Sequence, residues 1–469
     1  MAHYRRPNIL LLYTDQQRRD SMGCYGNPLA RTPHLDRLAA QGVRFDHCYV
    51  QAPVCMPSRM SLLTGQYCSS TGIGCNGPKL PESAITLPSL LHTHGYETAQ
   101  IGKLHFWPHS RRCHRDPHPR YHFDTLLLSD EPGCYDDAYI KWVEAIDPAQ
   151  VPLCRVKMPP AAEDAGRTNA SPHGRRTDEP YAFDGPEALT HSSFVASEVS
   201  RFLRQQRNGK PFFCIGGFYA PHAPLNPPQR FIDQFDPAQM PLPVLSDQEQ
   251  MAEFLKGHSD DHWRRVVAHY LALVSHVDDC VGQILATLDA CGLADDTIVV
   301  FTSDHGEYLG DHGRVGKGMP GQDCIARVPM LMRFPGRFPE GKVVDDLIEA
   351  VDWTPTMLHY AAVQAPRIVQ GRSLHHALED ADPTPRDDVL VESFFPHGRR
   401  SATVKTRTHT YSCNSAGREL LFDRTRDPHE GTNVADDPAC RDILSDLRRR
   451  MVVRLQRAAF NAVERDAQY

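Results

Sequence analysis

PNILLLYTDQQ, residues 7–17, is the stretch from which the fold can be read. Residues 9–13 are apolar without a break, and Asp15 closes the run. An uninterrupted apolar strand is buried on both faces, as in a sheet covered by helices on each side; a half-exposed strand would alternate. Similar runs recur at 98–102, 212–217 and 297–303 ("TIVVFTS"). Helical patterns separate them. The clearest spans 265–291, with Val266, Tyr270, Val274, Val277, Val281, Ile284 and Leu288 along one face and Gly292 as its stop. Shorter helices are read at 33–41 and 87–94. This alternation predicts an α/β fold, a large mainly parallel sheet sandwiched by helices.

The texture changes twice along the chain. Residues 107–186 are rich in Pro, His, Arg and Asp and hold no sustained period, so they read as an irregular insert over the sheet edge, suited to walling a substrate site or contacting another subunit. From 380 onward, short strand-like runs ("DVLVESFF", "SATVKTRTHTYS", "RELLFDR") precede a helix with Ile443, Leu447, Met451 and Leu455 on one face. The expected division is a catalytic α/β domain at 1–379 and a small C-terminal α+β subdomain carrying an antiparallel sheet at 380–469.

Composition narrows the class. With 469 residues and 41% hydrophobic content, the chain has material for one large core and a smaller one. A formal charge of −7 gives no general attraction for nucleic acid, so any anion site must be local. The apolar run at 9–13 is too short for a signal-peptide core, and no stretch of about 18 apolar residues suggests a membrane span. Fourteen cysteines are scattered without CxxC pairs, which points to reduced thiols and a cytoplasmic location.

Four polar clusters follow the strand runs, where open α/β sheets collect their ligands. They are Asp15-Gln16, Lys103-Leu104-His105, His222 and Asp304-His305-Gly306. Asp15 and Asp304 could converge on one cation, with His305 as a nitrogen ligand. Cys55 in "APVCMPSRMSLLTG" is harder to read. It could be a buried small hydrophobe, a thiolate nucleophile or a residue awaiting modification. The "SRMSLLTG" that follows reads as a short helix whose first N–H groups, with Arg59, could hold an anion.

Cys55-Met56-Pro57-Ser58-Arg59, followed by Leu62-Leu63-Thr64-Gly65, resembles the Cys-x-Pro-x-Arg signature of type I sulfatases. In that family the cysteine is converted to formylglycine after translation. "PNILLLYTDQQRRDSMGCYGN", "TPHLDRLAAQGVRF", "GYETAQIGKLHF", "FTSDHGEYLGDHG", "RVPMLMRFPG" and "LFDRTRDPHEGTNVA" look like further family blocks, in the family's order. The resemblance implies the alkaline phosphatase/sulfatase fold, a large α/β domain with a smaller C-terminal sheet domain. It implies one divalent metal ion held by Asp15, Gln16, residue 55, Asp304 and His305, with Ca²⁺ favoured. It implies that Arg59 holds the formylglycine hydrate and that Lys103 and Lys317 bind sulfate oxygens. His105 would deprotonate the hydrate, and His222 would be the general acid. The implied reaction is sulfate transfer to a metal-bound gem-diol, followed by hemiacetal collapse. The implied partners are a small-molecule sulfate ester, a formylglycine-generating enzyme and a second copy of the chain, with no nucleic acid and no membrane.

The pattern departs from the family at two points. Asp15-Gln16 stands where many sulfatases carry two acids, and Asp304-His305 where others carry Asp-Asn. One carboxylate fewer and one imidazole more shift the site toward Mn²⁺ or another transition metal. The same combination resembles phosphonate monoester hydrolases and phosphodiesterases of the superfamily, which supply the alternative activity. The Lys103 and His105 pair in "IGKLHF" favours sulfate. Four other features have plainer readings. Arg111, Arg112, Arg115 and Arg120 read as solvated surface, and His109, His114, His118 and His122 as a loop. Arg448–Arg450 read as the wet face of the last helix, and Asp352 as a helix start. The organic part of the substrate is expected to be read by 107–186 and by "SFFPHGRR", residues 393–400.

Overall fold

A computed structural model of the chain describes residues 6–108, 116–133, 135, 137–155, 178–206, 209–379, 385–395 and 398–459. The expectations for Arg111, Arg112, Arg115, His109 and His114 therefore lie outside the described residues, as does most of 156–186. Residues 380–384, where the domain division was read, and 396–397 of the "SFFPHGRR" segment also lie outside them.

Among the described residues thirteen strands run in chain order: β1 (Asn8–Asp15), β2 (Val43–Tyr49), β3 (Glu97–Gly102), β4 (Thr125–Leu128), β5 (Phe212–Pro221), β6 (Thr297–Ser303), β7 (Arg327–Val328), β8 (Met330–Arg333), β9 (Lys342–Glu349), β10 (Val389–Phe394), β11 (Arg400–Lys405), β12 (His409–Asn414) and β13 (Glu419–Asp423). The first nine form one sheet in the order β4-β3-β5-β1-β6-β8-β2-β7, with β9 also paired to β2. The half from β4 to β6 is wholly parallel. The far half is mixed: β8 runs antiparallel to β6 and β2, and β7 antiparallel to β2. The physical reason is the 304–326 connection. A parallel return needs a crossover that covers the sheet, and this segment carries only short turns of helix before β7 starts.

β1 demonstrates the sandwich. Leu10 and Leu12 belong to one core with the His191–Gln205 and Asp260–Ala290 helices. Ile9, Leu11 and Tyr13 belong to the other, with the Cys55–Thr64, Leu87–Thr93 and Trp353–Tyr360 helices. Successive side chains thus point to opposite faces, and both faces are covered. The long helix starts at Asp260 rather than 265, because Ser259 accepts a hydrogen bond from the His262 N–H and two acids fill the first turn. It is also long and apolar enough to cross a membrane, but 78% of its most apolar window is buried in the fold, which marks a core helix.

β10–β13 form a separate four-stranded antiparallel sheet, packed by the Arg441–Ala458 helix through Leu444, Leu447 and Met451. Arg448 and Arg449 on that helix are exposed, as expected for its wet face. Buried ion pairs tie the two sheets. Lys405 Nζ lies 2.7 Å from Asp323 and 2.7 Å from Glu430. Asp352 does more than begin a helix. Its carboxylate accepts from the Glu349 and Arg372 N–H groups and grips Arg386 at 2.5 and 2.9 Å, with Glu349 a further 3.2 Å contact of Arg386. Removing one partner of a buried pair leaves the others uncompensated, so Arg386→Met is expected to cost about 3–5 kcal/mol. Urea denaturation would measure it.

Candidate active site

The site lies at the carboxyl ends of β1, β3, β5 and β6. Asp15 ends β1, Lys103 follows β3, His222 follows β5, and Asp304 and His305 follow β6. Cys55 opens the Cys55–Thr64 helix, whose ten residues are all buried. Pro57 is accommodated in the first turn, where no intrahelical N–H is required. Cys55 and Arg59 are four residues apart and therefore share a helix face. Both point to the Asp15–Asp304 pair.

Arg59 Nε lies 2.7 Å from Asp304 Oδ2 and Nη2 3.3 Å from Asp15 Oδ2. Lys103 Nζ lies 2.9 Å from the same Asp15 oxygen. Each carboxylate thus spends Oδ2 on the cations. Its Oδ1 faces His305 Nε2, at 3.7 Å for Asp15 and 3.6 Å for Asp304. Cys55 Sγ completes the group, 3.2 Å from His305 Nε2 and 3.8 Å from Asp15 Oδ1. His305 Nδ1 donates to the Gly306 carbonyl at 2.8 Å, which leaves the Nε2 lone pair for the cluster. Burial, with help from Lys317, pushes the imidazole pKa down and keeps it neutral. Burial alone would raise the Asp15 pKa, but Lys103, His222, Lys317 and Arg59 together hold it well below the usual range.

Two carboxylate oxygens, an imidazole nitrogen and a sulfur, all buried, have ligand atoms within 4.8 Å of one another. This mixed donor set fits one divalent ion. Gln16 lies beside it, its Oε1 accepting from Lys317 Nζ at 3.1 Å, and Lys317 Nζ also reaches Cys55 Sγ at 2.6 Å. The structure therefore brings Asp15, Gln16, Cys55, Arg59, Lys103, Asp304, His305 and Lys317 together. His105 is held close by, 4.0 Å from Glu131, which in turn lies 3.5 Å from Lys103. His222 lies against Tyr219 with the two rings tilted by 44°, Lys103 also sits over the Tyr219 ring, and His222 Nδ1 donates to the Ala223 carbonyl.

Several supports were not legible as site residues. Asp130 accepts from the Leu104 and His105 N–H groups at 2.9 and 2.7 Å and so fixes the turn that carries Lys103 and His105. Gly217 lets β5 approach that turn, since a Cβ there would stand 2.2 Å from the Lys103 carbonyl. Glu131 and Glu307 are buried acids in the site that no spacing pattern announced.

Residues 7–363 match the sulfatase family profile, and 310–457 match the C-terminal region of N-sulphoglucosamine sulphohydrolase. The chain belongs to the sulfatase family. An arylsulfatase of Clostridium perfringens is 30% identical, over 96% of this chain and 95% of its own. The multifunctional alkaline phosphatase superfamily protein PehA of Trinickia caryophylli is 29% identical, covering 94% and 93%. Among solved structures, the phosphonate monoester hydrolase of Agrobacterium radiobacter superposes with a TM-score of 0.83 at 24% identity, covering 96% of each chain, and so shares the fold. This sulfatase is accordingly a hydrolase of sulfate esters within the alkaline phosphatase superfamily.

Proposed function

We propose that this sulfatase cleaves a sulfate monoester through residue 55 after Cys55 has been oxidised to formylglycine. The supporting observation is the placement of Cys55 at a helix start, against His305, Lys317 and two buried carboxylates. A thiol in that place offers one nucleophilic atom. A hydrated aldehyde offers two hydroxyls, and the second hydroxyl provides the way out of the covalent intermediate.

A divalent ion bound by Asp15, Gln16, residue 55, Asp304 and His305, with Ca²⁺ or Mn²⁺ the first to test, supplies Lewis-acid polarisation and neutralises charge. Lys103 and Lys317 bind the sulfate oxygens, and Arg59 steadies the diol. One diol hydroxyl gives up its proton by way of His105 to water, its oxygen attacks sulfur, the sulfur–oxygen bond to the alcohol breaks, and His222 protonates the departing oxygen. His105 then takes the proton of the remaining hydroxyl. The carbon–oxygen bond breaks, sulfate leaves and the aldehyde returns, to be hydrated again by water. Since Cys55 is only 1% exposed, the formylglycine-generating enzyme acts before the chain closes around it.

Peptide mass spectrometry across residue 55 tests the modification, and an unmodified thiol in fully active protein would overturn it. Assays on an aryl sulfate, an aryl phosphonate monoester and an aryl phosphodiester test the substrate class. The pairing of Gln16 with His305 in the donor set favours phosphonate or diester cleavage as a second activity; dominance of either in kcat/KM would displace the sulfate reading. Lys103→Met is expected to lower kcat/KM for the sulfate ester on the order of 10²-fold, because it deletes one preorganised cation. The reading extends to location. The described cysteines are all free thiols, which supports a cytoplasmic protein, and fractionation of the native source checks it.

A further inference from the structure

Gln16 occupies a left-handed backbone conformation, φ 66°, and its buried amide is gripped at both ends. Nε2 donates to Glu307 Oε2, and Oε1 accepts from Lys317 Nζ at 3.1 Å. Glu307 is itself fully buried. Its other oxygen accepts from the Leu309 N–H at 3.0 Å and from the Gly316 N–H. Backbone of the loop that carries Lys317 therefore sets the orientation of Glu307, independently of Gln16. Three N–H donors surround the carboxylate, which meets them purely as an acceptor.

An amide has no intrinsic preference for which end faces a neighbour, so the partner decides. A carboxylate selects the NH₂ end of Gln16 and sends the carbonyl oxygen to the opposite side. That side holds Lys317 and, through it, Cys55 and the Asp15–Asp304–His305 group. We infer that Glu307 is a positioning residue that makes Gln16 present an oxygen, rather than two N–H groups, to a bound divalent ion. Outer partners orient metal ligands in this way, and their loss weakens binding. The inference rests on the metal reading given under Proposed function.

Titration of the full-length protein with Mn²⁺, followed by calorimetry and by the Mn²⁺ EPR signal, tests it without any turnover. E307Q keeps the shape of the side chain and leaves Oε1 on the Leu309 and Gly316 N–H groups, but turns an NH₂ toward Gln16. Gln16 must then flip, and Mn²⁺ affinity is expected to fall about 10–100-fold. Q16E/E307Q exchanges acid and amide. Residue 16 now accepts from residue 307, the reverse of the native bond, and again shows an oxygen to the ion, so affinity returns close to that of the wild type. Charge alone would make Q16E bind tightly with Glu307 intact; the expectation is that Q16E binds more weakly than the double variant.

Wild-type affinity in E307Q, or a double variant as weak as E307Q, would overturn the assignment. Should E307Q fail to fold, Q16A decides: a loss of about tenfold or more supports Gln16 as a ligand oriented by Glu307, and unchanged affinity refutes it. A wild-type chain that binds no divalent ion defeats the metal reading, and this inference with it. That result is visible before any variant is made.

Discussion

Cys55→Ala is expected to abolish sulfate ester hydrolysis, a loss on the order of 10⁴–10⁶-fold, as for the deletion of other covalent nucleophiles. Cys55→Ser is expected to behave differently. Cys55 begins a wholly buried helix, so serine fits the same position at little structural cost. Its hydroxyl stands among His305, Lys317 and the two carboxylates, where the thiol stands now. It could attack sulfur once. The product would be a serine sulfate without a second hydroxyl on the same carbon, so no collapse to an aldehyde follows. A single turnover, with a protein mass increased by one sulfuryl group, is the expected signature. Sustained turnover by either variant would refute the formylglycine mechanism. Thermal melts close to that of the parent chain would show that the loss is chemical.

Arg59→Met is expected to destabilise the metal-free protein by about 3–5 kcal/mol. Arg59 is 0% exposed and meets Asp304 at 2.7 Å, Asp15 at 3.3 Å, and the carbonyls of Lys103 and Thr14 at 3.0 and 3.3 Å. Its guanidinium also lies 4.5 Å above the Tyr13 ring. Burial opposes its charge, but Asp304 and Asp15 outweigh burial and hold it cationic. Without it, Lys103 alone would remain in direct contact with Asp15, and Asp304 would lose its cationic partner. Two buried carboxylates would face each other with too little positive charge. Saturation with a divalent ion should then recover part of the loss, because the ion binds the folded state and supplies the missing charge. Urea denaturation with and without the ion measures both effects. A destabilisation below about 1 kcal/mol in the metal-free protein, the scale of an exposed pair, would show that the charges are compensated elsewhere.

In the parallel half β1, β3, β5 and β6 were legible as buried, largely apolar runs closed by polar site residues, whereas β4, four half-buried residues inside the 107–186 segment that reads as irregular, was not. β2 and β9 were not, since "VRFDHCY" and "KVVDDLIE" each mix charge into the strand. Their identity as strands comes from pairing with each other, β7 and β8. The antiparallel turn of β8 depends on how the 304–326 segment is used, and no local period records that.

The family resemblance brought in Lys317 and the joining of Cys55 to the acids; residue types at strand ends and helical spacing determined from the sequence alone that Asp15, Lys103, His222, Asp304 and His305 could lie at one sheet edge and that Cys55 and Arg59 share a face. Local geometry suffices for this, because strand ends and helical periods are properties of short segments. Only the tertiary structure decided which oxygen of each carboxylate faces a cation and which faces the ion site. It also brought in Asp130, Glu131, Gly217 and Glu307, and it turned Asp352 from a helix start into a clamp on Arg386. Those contacts join residues distant in the chain, and their chemistry exists only once burial has removed water and made every unpaired charge costly.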